Sequence, residues 1–383
     1  MKIAIIRQRY NPFGGAERFV ARAAAALAAH GASVSVIARD WAGGGEATAW
    51  LRCDPFYVGR VWRDAGFARA ACAATRRGAF DLVQSHERIA CCDIYRAGDG
   101  VHAQWLEHRE RTLSGLRRWA VRWHPYHCYV LAAERRLFAS PRLRAVICNS
   151  RMVRDEVQRW FGFDAAKLHV IYNGVDLDFF HPALRQQHCR DTRSALGIPA
   201  AARVVLFVGS GFERKGLPQL LAALHRLNDP RLHLVVVGKD RAERRLAHAA
   251  QLLGLGGRVH WPGPQTDVRP FYGAADCLAL PTLYDPFPNA ALEALASGLP
   301  VVTTTRCGAA ELLQQGQSGY VCSDPDSIEA LARSVAKAAS GAPGMSAAAR
   351  AAAERCGIDA MAEALLRLYA TLMAGASELV SCQ

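Results

Sequence analysis

The sequence predicts an α/β protein of two domains, each a parallel sheet wound with helices, and three observations predict it. First, 383 residues exceed what one ordinary core holds and suit two. Second, short apolar runs recur through both halves and alternate with helical stretches. Third, Lys2-Ile-Ala-Ile-Ile6, a loop, an Ala-rich stretch and Ser33-Val-Ser-Val-Ile-Ala38 make a βαβ start with a glycine pair, Gly14-Gly15, between strand and helix. That is the order of Rossmann-like dinucleotide and sugar-nucleotide folds, where glycine lets the backbone approach a ligand.

Composition bounds the function classes. Hydrophobic residues make up 51% and charged residues 21%, as in soluble globular proteins. No run of about 18 apolar residues occurs, so a spanning helix is not expected, and the first residues are too short and wrongly flanked for a signal peptide. The formal net charge of +13 points to an anionic partner: nucleic acid, an anionic membrane surface or a phosphorylated small molecule. The 12 cysteines include no C-x2-C pair, which argues against zinc, and reduced, mostly buried thiols of a cytosolic enzyme are expected.

Taken in order, the first half continues with a helix from Phe19 to Gly31, closed by Gly31. Residues 50–80 alternate arginine with small residues and announce no element. Asp81 to His86 and Cys92 to Ala97 are strands whose polar tips carry His86, Glu87, Asp99 and His102. Open α/β sheets bind ligands beyond their strands' carboxyl ends, so these are candidates for a site. Residues 105–144 hold nine arginines against three glutamates, with Trp105, Trp119, Trp123, Tyr126, Tyr129 and Phe138 interleaved. Such a helical region suits an anionic lipid surface, with its rings at headgroup level. A solvated basic face is the plainer alternative, and no nucleic-acid module surrounds it. Ala145 to Cys148 ends the first sheet, and Asn149-Ser150 cap the next helix.

The second half opens with a strand from Arg203 to Gly209 and a helix running through Leu227. Between them Arg214 and Lys215 sit beside glycines at the helix start, where two cations and free N–H groups can neutralise the roughly two negative charges of a pyrophosphate. Strands follow at Leu232–Gly238, Arg258–Gly263 and Ala275–Leu280. Beyond the last, a helix opens at Pro288-Asn289-Ala290 and stops at Gly298 and Pro300, with Asp285 in the preceding loop and Glu293 inside the helix. Its first-turn N–H groups are a ready phosphate site, and the two acids can reach hydroxyls on either side. Val301 to Thr305 is the next strand, Asp324 to Leu331 opens a helix, and the tail from Met345 is helical.

Asp285-x7-Glu293 followed by Ala294-x-Ala296-x-Gly298-x-Pro300-Val-Val resembles the signature of retaining glycosyltransferases of the GT-B fold, family 4. The resemblance extends to Pro12-x-Gly14-Gly15-x-Glu17-Arg18, to Ile171-Tyr-Asn-Gly-Val-Asp176 and to Arg214-Lys215-Gly216. Within the family, Pro12-Phe-Gly-Gly15, Val208-Gly-Ser-x-Phe-x-Arg-Lys-Gly216 and Leu299-Pro-Val-x-Thr-Thr304 with Cys307-Gly308 are most similar to lipopolysaccharide-core glucosyltransferases. Most members carry Glu where this chain has Asp285, one methylene shorter.

The resemblance implies two Rossmann-like domains facing a cleft, residues 1–175 for the acceptor and 176–358 for the donor, with a C-terminal helix of about residues 359–383 crossing back to the first. It implies hexosyl transfer, with UDP-glucose as the expected donor, to a glycan or glycolipid in lipopolysaccharide-core or cell-surface polysaccharide assembly. Arg214, Lys215, Pro288, Asn289 and Ala290 would hold the diphosphate, Glu293 the ribose and Asp285 the donor sugar. Asp99 would steer the acceptor proton, with Gly14, Gly15, Glu17, His86 and His102 lining the cleft. No Asp-x-Asp is present to bind a metal, and no cofactor, metal or nucleic acid is expected. The expected place is the cytoplasm, peripheral on the inner face of the membrane. Two alternatives stay open: a nucleotide-sugar epimerase of the same fold, and a non-catalytic basic protein that binds membrane or nucleic acid.

Overall fold

An apolar run without alternation is stable as a strand only when both of its faces are covered, as in a parallel sheet flanked by helices. The structure, a computed structural model, describes residues 2–9, 31, 33–40, 48–111 and 113–381. In these residues the short apolar runs form two all-parallel sheets. The first holds β1 (Lys2–Ile6), β2 (Ser33–Ala38), β3 (Thr48–Arg52), β4 (Leu82–Ser85), β5 (Ile94–Arg96), β6 (Ala145–Cys148) and β7 (Leu168–Val170), in the order β3-β2-β1-β4-β5-β6-β7. The second holds β8 (Arg203–Val208), β9 (Leu232–Val237), β10 (Val259–Gly263), β11 (Cys277–Leu280), β12 (Val301–Thr304) and β13 (Gly319–Cys322), in the order β10-β9-β8-β11-β12-β13. Both orders reverse direction once, at β1/β4 and at β8/β11. That switch point is where doubly wound sheets bind ligands.

By contacts the chain divides into two units, Met1–Gly174 with Asp359–Gln383, and Val175–Ile358. The helices of the first are α1 (Gly59–Arg77), α2 (His102–Arg111), α3 (Gly115–Arg122), α4 (Pro125–Phe138) and α5 (Arg151–Phe161). Ser150 caps α5 by accepting from Val153 N at 3.2 Å. The second unit has α6 (Leu184–Ala195), α7 (Leu217–Leu227), α8 (Glu243–Leu252), α9 (Arg269–Ala274), α10 (Asn289–Ala296), α11 (Ile328–Ala339) and α12 (Met345–Glu354). The last helix, α13 (Ile358–Ser381), returns to the first unit. Its Met361, Leu365, Leu368 and Tyr369 are buried against Ile3, Ile5, Val34, Val36 and Ile147 of that unit's sheet.

Several sequence expectations need correction. Ala145 to Cys148 does not end the first sheet, because β7 pairs beyond it. β3, α1, α6 and α8 are elements the sequence did not announce. Pro288 stands at the N-cap of α10 rather than inside its first turn, with φ −71° and ψ 121°. The cysteines are not all reduced. Cys72 of α1 and Cys91 form a disulfide with their Cα atoms 5.8 Å apart, while the other described cysteines are free. Disulfides are rare in reducing compartments, and the expectation of a cytosolic enzyme does not account for this one. The expected Phe19–Gly31 helix, apart from Gly31, and the loop with Gly14, Gly15 and Glu17 lie outside the described residues.

Candidate active site

The second unit's switch point is built from the turn after β8 and the loop after β11, whose parent strands pair directly. The turn is fastened from several sides. Asp240, past the end of β9, accepts from Gly211 N at 2.8 Å and Phe212 N at 3.1 Å through Oδ2, and from Ala242 N at 2.8 Å through Oδ1. Burial works against the Asp240 charge, but these three N–H groups outweigh it and hold its carboxyl below the usual range. Gly216 then lies so close to the β11 loop that a Cβ there would stand 1.9 Å from the Pro281 carbonyl oxygen, and its φ of +82° belongs to glycine. Thr282 Oγ1 donates to Arg214 O at 3.1 Å, and Leu283 N donates to the same oxygen at 2.8 Å.

This scaffold places three charges together. Lys215 Nζ lies 2.8 Å from Asp285 Oδ2, and Arg214 reaches the same oxygen at 3.3 Å while donating to Tyr284 O at 2.9 Å. Burial alone would raise the Asp285 pKa, but Lys215 and Arg214 outweigh it and hold the carboxyl below its ordinary value. The Asp285 backbone is fixed as well, its N–H donating to Arg306 O at 3.1 Å and its carbonyl accepting from Gly308 N at 3.0 Å.

Four residues further on, α10 begins with no side-chain cap and no acidic residue in its first turn. An N-terminus of that kind favours an anion. Glu293, one of the buried residues of α10, accepts from the Tyr272 hydroxyl at 2.9 Å, and that hydroxyl also reaches Ala290 O at 3.3 Å. Arg214, Lys215, Asp285, Pro288, Asn289, Ala290 and Glu293 thus all lie on the turn, loop and helix at one end of this sheet. Asp240 and Tyr272 were missed by sequence reasoning. Asp240, two residues after Gly238 at a strand end, was the one available signal, whereas Tyr272 sits in an apolar helix and offers none.

The first unit carries a separate polar cluster beyond β4 and β5. His86 is buried, and burial first, then Arg96 and Arg7, push its pKa well below the ordinary value. Gln84 Nε2 donates to His86 Nε2 at 3.0 Å, and the Tyr369 hydroxyl of α13 donates to Gln84 Oε1. This order of donors leaves the neutral His86 proton on Nδ1. Asp99 is exposed at the tip of the turn after β5. The turn is braced by Asn149 Nδ2 on Gly98 O at 3.1 Å and by Arg88 on Gly100 O at 3.2 Å. Arg88 also donates to Glu134 Oε1 at 2.8 Å, and that same oxygen accepts the His102 N–H at 2.8 Å. His102 Nε2 meets His127 Nδ1 at 3.1 Å. Burial, Arg88 and His127 hold the His102 pKa down at about 3, and burial with His124, Arg109 and Arg60 holds that of His127 at about 4. Among the described residues no group of three His, Cys, Asp or Glu side chains is placed to hold a metal ion.

The basic aromatic stretch forms α2, α3 and α4. α3 buries none of its residues; Leu116 is 86% exposed and Trp119 64%, with Trp123 just past its end at 62%. They recur at helical spacing as an apolar stripe beside Arg117, Arg118 and Arg122.

Comparison with known proteins follows the same two halves. Residues 13–179 match the family described as Glycosyltransferase Family 4, and residues 190–355 the one described as Glycosyl transferases group 1. Lipopolysaccharide glucosyltransferase WaaG of Escherichia coli is 27% identical over 348 residues, covering 90% of this chain and 91% of that protein. The crystal structure of WaaG superposes with a TM-score of 0.79 at 26% identity, over 92% of this chain and 95% of that one. Lipopolysaccharide core biosynthesis glycosyltransferase LpsE of Rhizobium meliloti is 36% identical over 143 residues, 37% of this chain and 41% of LpsE. HepE of Anabaena, solved in complex with UDP-glucose, shares the fold at 21% identity, with a TM-score of 0.72 over 97% of this chain and 100% of that one. With strand order, switch-point residues and these matches in agreement, the chain belongs to the nucleotide-sugar-dependent glycosyltransferases of the GT-B fold, with a family 4 domain followed by a group 1 domain.

Proposed function

We propose that the chain transfers glucose from UDP-glucose, with retention at the anomeric carbon, to a hydroxyl of a glycan or glycolipid in lipopolysaccharide-core or cell-surface polysaccharide assembly. The observation that carries this reading is the Lys215–Asp285 pair, with Arg214 on the same carboxylate, next to the uncapped start of α10. The likeness to WaaG over nine-tenths of both chains supports the sugar and the process, since WaaG is named a lipopolysaccharide glucosyltransferase.

Breaking a glycosidic bond to a diphosphate leaves charge on the departing oxygen, and prepositioned cations and N–H groups stabilise that charge without reorganising. In this reading Arg214, Lys215 and the start of α10, where Pro288 is the N-cap and Asn289 and Ala290 open the first turn, perform that task, so no divalent metal or other cofactor is called for. Asp285, already oriented by both cations, turns its second oxygen to hydroxyls of the donor sugar, and Glu293 takes the ribose hydroxyls. Asp99 is the candidate to accept the acceptor's proton, because it is exposed where an incoming hydroxyl can meet it. His86 and His102, both neutral, would serve as hydrogen-bond partners, and Gly14, Gly15 and Glu17 join the site on family resemblance alone. The stripe of Leu116, Trp119 and Trp123 beside arginines fits an anionic membrane surface, which would keep the enzyme peripheral on the cytoplasmic side. Among the described residues no helix is long and apolar enough to cross a membrane.

The test is a panel of nucleotide sugars read by thermal stabilisation, since a ligand bound only to the folded state raises its melting temperature by mass action. UDP-glucose should stabilise more than the GDP- and ADP-sugars and should be consumed only when an acceptor glycan is added. Stabilisation by another nucleotide alone would overturn the donor assignment.

A further inference from the structure

The connection from β4 to β5 is short for parallel neighbours. Such strands are ordinarily joined by a dozen or more residues that carry a helix. Here residues 86–93 make the crossover in eight, with no helix. A groove of about 840 Å3 lies between α1 and α4, floored by this connection. Ala65 and Ala68 of α1, Ala133 of α4 and Ile89 give the groove an apolar lining, and the Cys72–Cys91 disulfide ties its floor to α1. Its polar groups are almost all basic: Arg69 and Arg76 from α1, Arg136 from α4, and Arg88. Arg88 is neutralised by Glu134. Among the described residues no carboxylate lies within ion-pair distance of Arg69, Arg76 or Arg136.

We propose that this groove binds an anionic amphiphile, with an apolar body against the alanine and disulfide floor and a phosphate gripped by Arg69, Arg76 and Arg136. Guanidinium forks match phosphate oxygens in pairs, and uncompensated like charges along a low-dielectric wall concentrate potential there. Arginine donates and does not accept, so a neutral glycan would find only the Tyr129 hydroxyl as a side-chain acceptor along the lining. A free phosphate would leave the apolar floor unused, and a neutral lipid would leave the cations unused. The site belongs to the first unit and is separate from the residues assigned to the donor. It does not depend on α3 meeting a membrane. The phosphate can come from a bilayer phospholipid or from a soluble phosphorylated amphiphile.

Isothermal titration of the full chain with monomeric dihexanoyl phosphatidic acid tests this, with inorganic phosphate and dihexanoyl phosphatidylcholine as comparisons. Saturable binding of the phosphatidic acid is expected, at least roughly tenfold tighter than either comparison. The R69E/R136E variant and the groove-filling Ala68→Trp should each weaken it by roughly tenfold, with circular dichroism and transfer to a soluble acceptor unchanged. Sedimentation with phosphatidylcholine vesicles containing phosphatidic acid separates the sources. Reduced partition of R69E/R136E assigns the bilayer, and unchanged partition with lost monomer binding assigns a soluble amphiphile. Undiminished phosphatidic acid binding by R69E/R136E, or equal binding of inorganic phosphate, overturns the proposal.

Discussion

Lys215 and Asp285, 70 residues apart in sequence, meet at 2.8 Å with side chains only 10% and 9% exposed. Removing one partner of a buried pair costs up to about 3 kcal/mol, and here Arg214, 3.3 Å from the same Asp285 oxygen, still compensates part of the charge left behind. Lys215→Ala should therefore lower stability by up to that amount and reduce kcat/KM by roughly 100-fold or more, as loss of a donor to a developing anion does. Lys215→Ala combined with Asp285→Ala should recover most of the stability and none of the activity. Chemical denaturation and transfer assays on the single and double variants measure the coupling. A double variant no more stable than Lys215→Ala would show that the pair is not a unit.

Acid should destabilise the protein in two stages. His102 and His127 have folded pKa values of about 3 and about 4, below the ordinary 6.5, so from pH 6.5 downward the unfolded chain binds protons that the folded chain refuses. Stability falls through that window. The Asp285 carboxyl is held below its ordinary value, so its contribution is complete above the unfolded pKa of about 3.9 and disappears only as pH falls through the folded value. Guanidinium denaturation midpoints at pH 7 and pH 5 should differ in the wild type and differ less in the His102→Asn/His127→Asn variant.

Glu134 Oε1 is the common acceptor for Arg88 and the His102 N–H, and Arg88 braces the turn that carries Asp99. Glu134→Gln should cost about 3 kcal/mol, because Arg88 loses its counter-charge in a buried setting. It should also lower kcat more than it raises the KM for UDP-glucose, since the donor residues lie in the other unit. An unchanged kcat would separate Asp99 from the reaction.

Gly216 offers a backbone test. With φ at +82° and the Pro281 carbonyl where a Cβ would go, Gly216→Ala must move the turn or the loop. A loss of about 3 kcal/mol is expected, together with loss of thermal stabilisation by UDP-glucose. Gly254→Ala is the control, because its φ of +70° is similar but its Cβ would meet open space.

The exposed stripe of α3 should act on location and not on chemistry. Trp119→Ala/Trp123→Ala, and separately Arg117→Ala, should reduce co-sedimentation with anionic vesicles while transfer to a soluble acceptor stays at the wild-type rate. Equal co-sedimentation of all forms would leave the stripe without a membrane role.

The strands were legible because parallel strands covered on both faces are apolar throughout. β8 and β9 begin at the residues their apolar runs predict, Arg203 and Leu232. β3 and α1 were hidden for physical reasons. β3 is an edge strand with Trp50 and Leu51 both more than a third exposed, and α1 buries only Phe67, Ala71 and Thr75, too slight a stripe to stand out among its alanines and arginines. Locally clustered site residues such as Arg214-Lys215-Gly216 were also legible. The pairing of Lys215 with Asp285 was not, because it depends on β8 and β11 being neighbours, which no local pattern states. The Cys72–Cys91 bond was hidden in the same way, since Cys91 adjoins Cys92 and shows no preference for a partner.

The return of α13 has a consequence for synthesis. The first sheet is translated early, yet Ile3, Ile5, Val34 and Ile147 are covered by Met361, Leu365 and Tyr369, which emerge from the ribosome only after the strands of both sheets. The Val175–Ile358 unit can close on its own while the earlier one waits with an apolar face uncovered. A nascent chain stalled before residue 359 should therefore present that face to holdase chaperones and to proteases, and completion of the final helix is the step that ends the exposure.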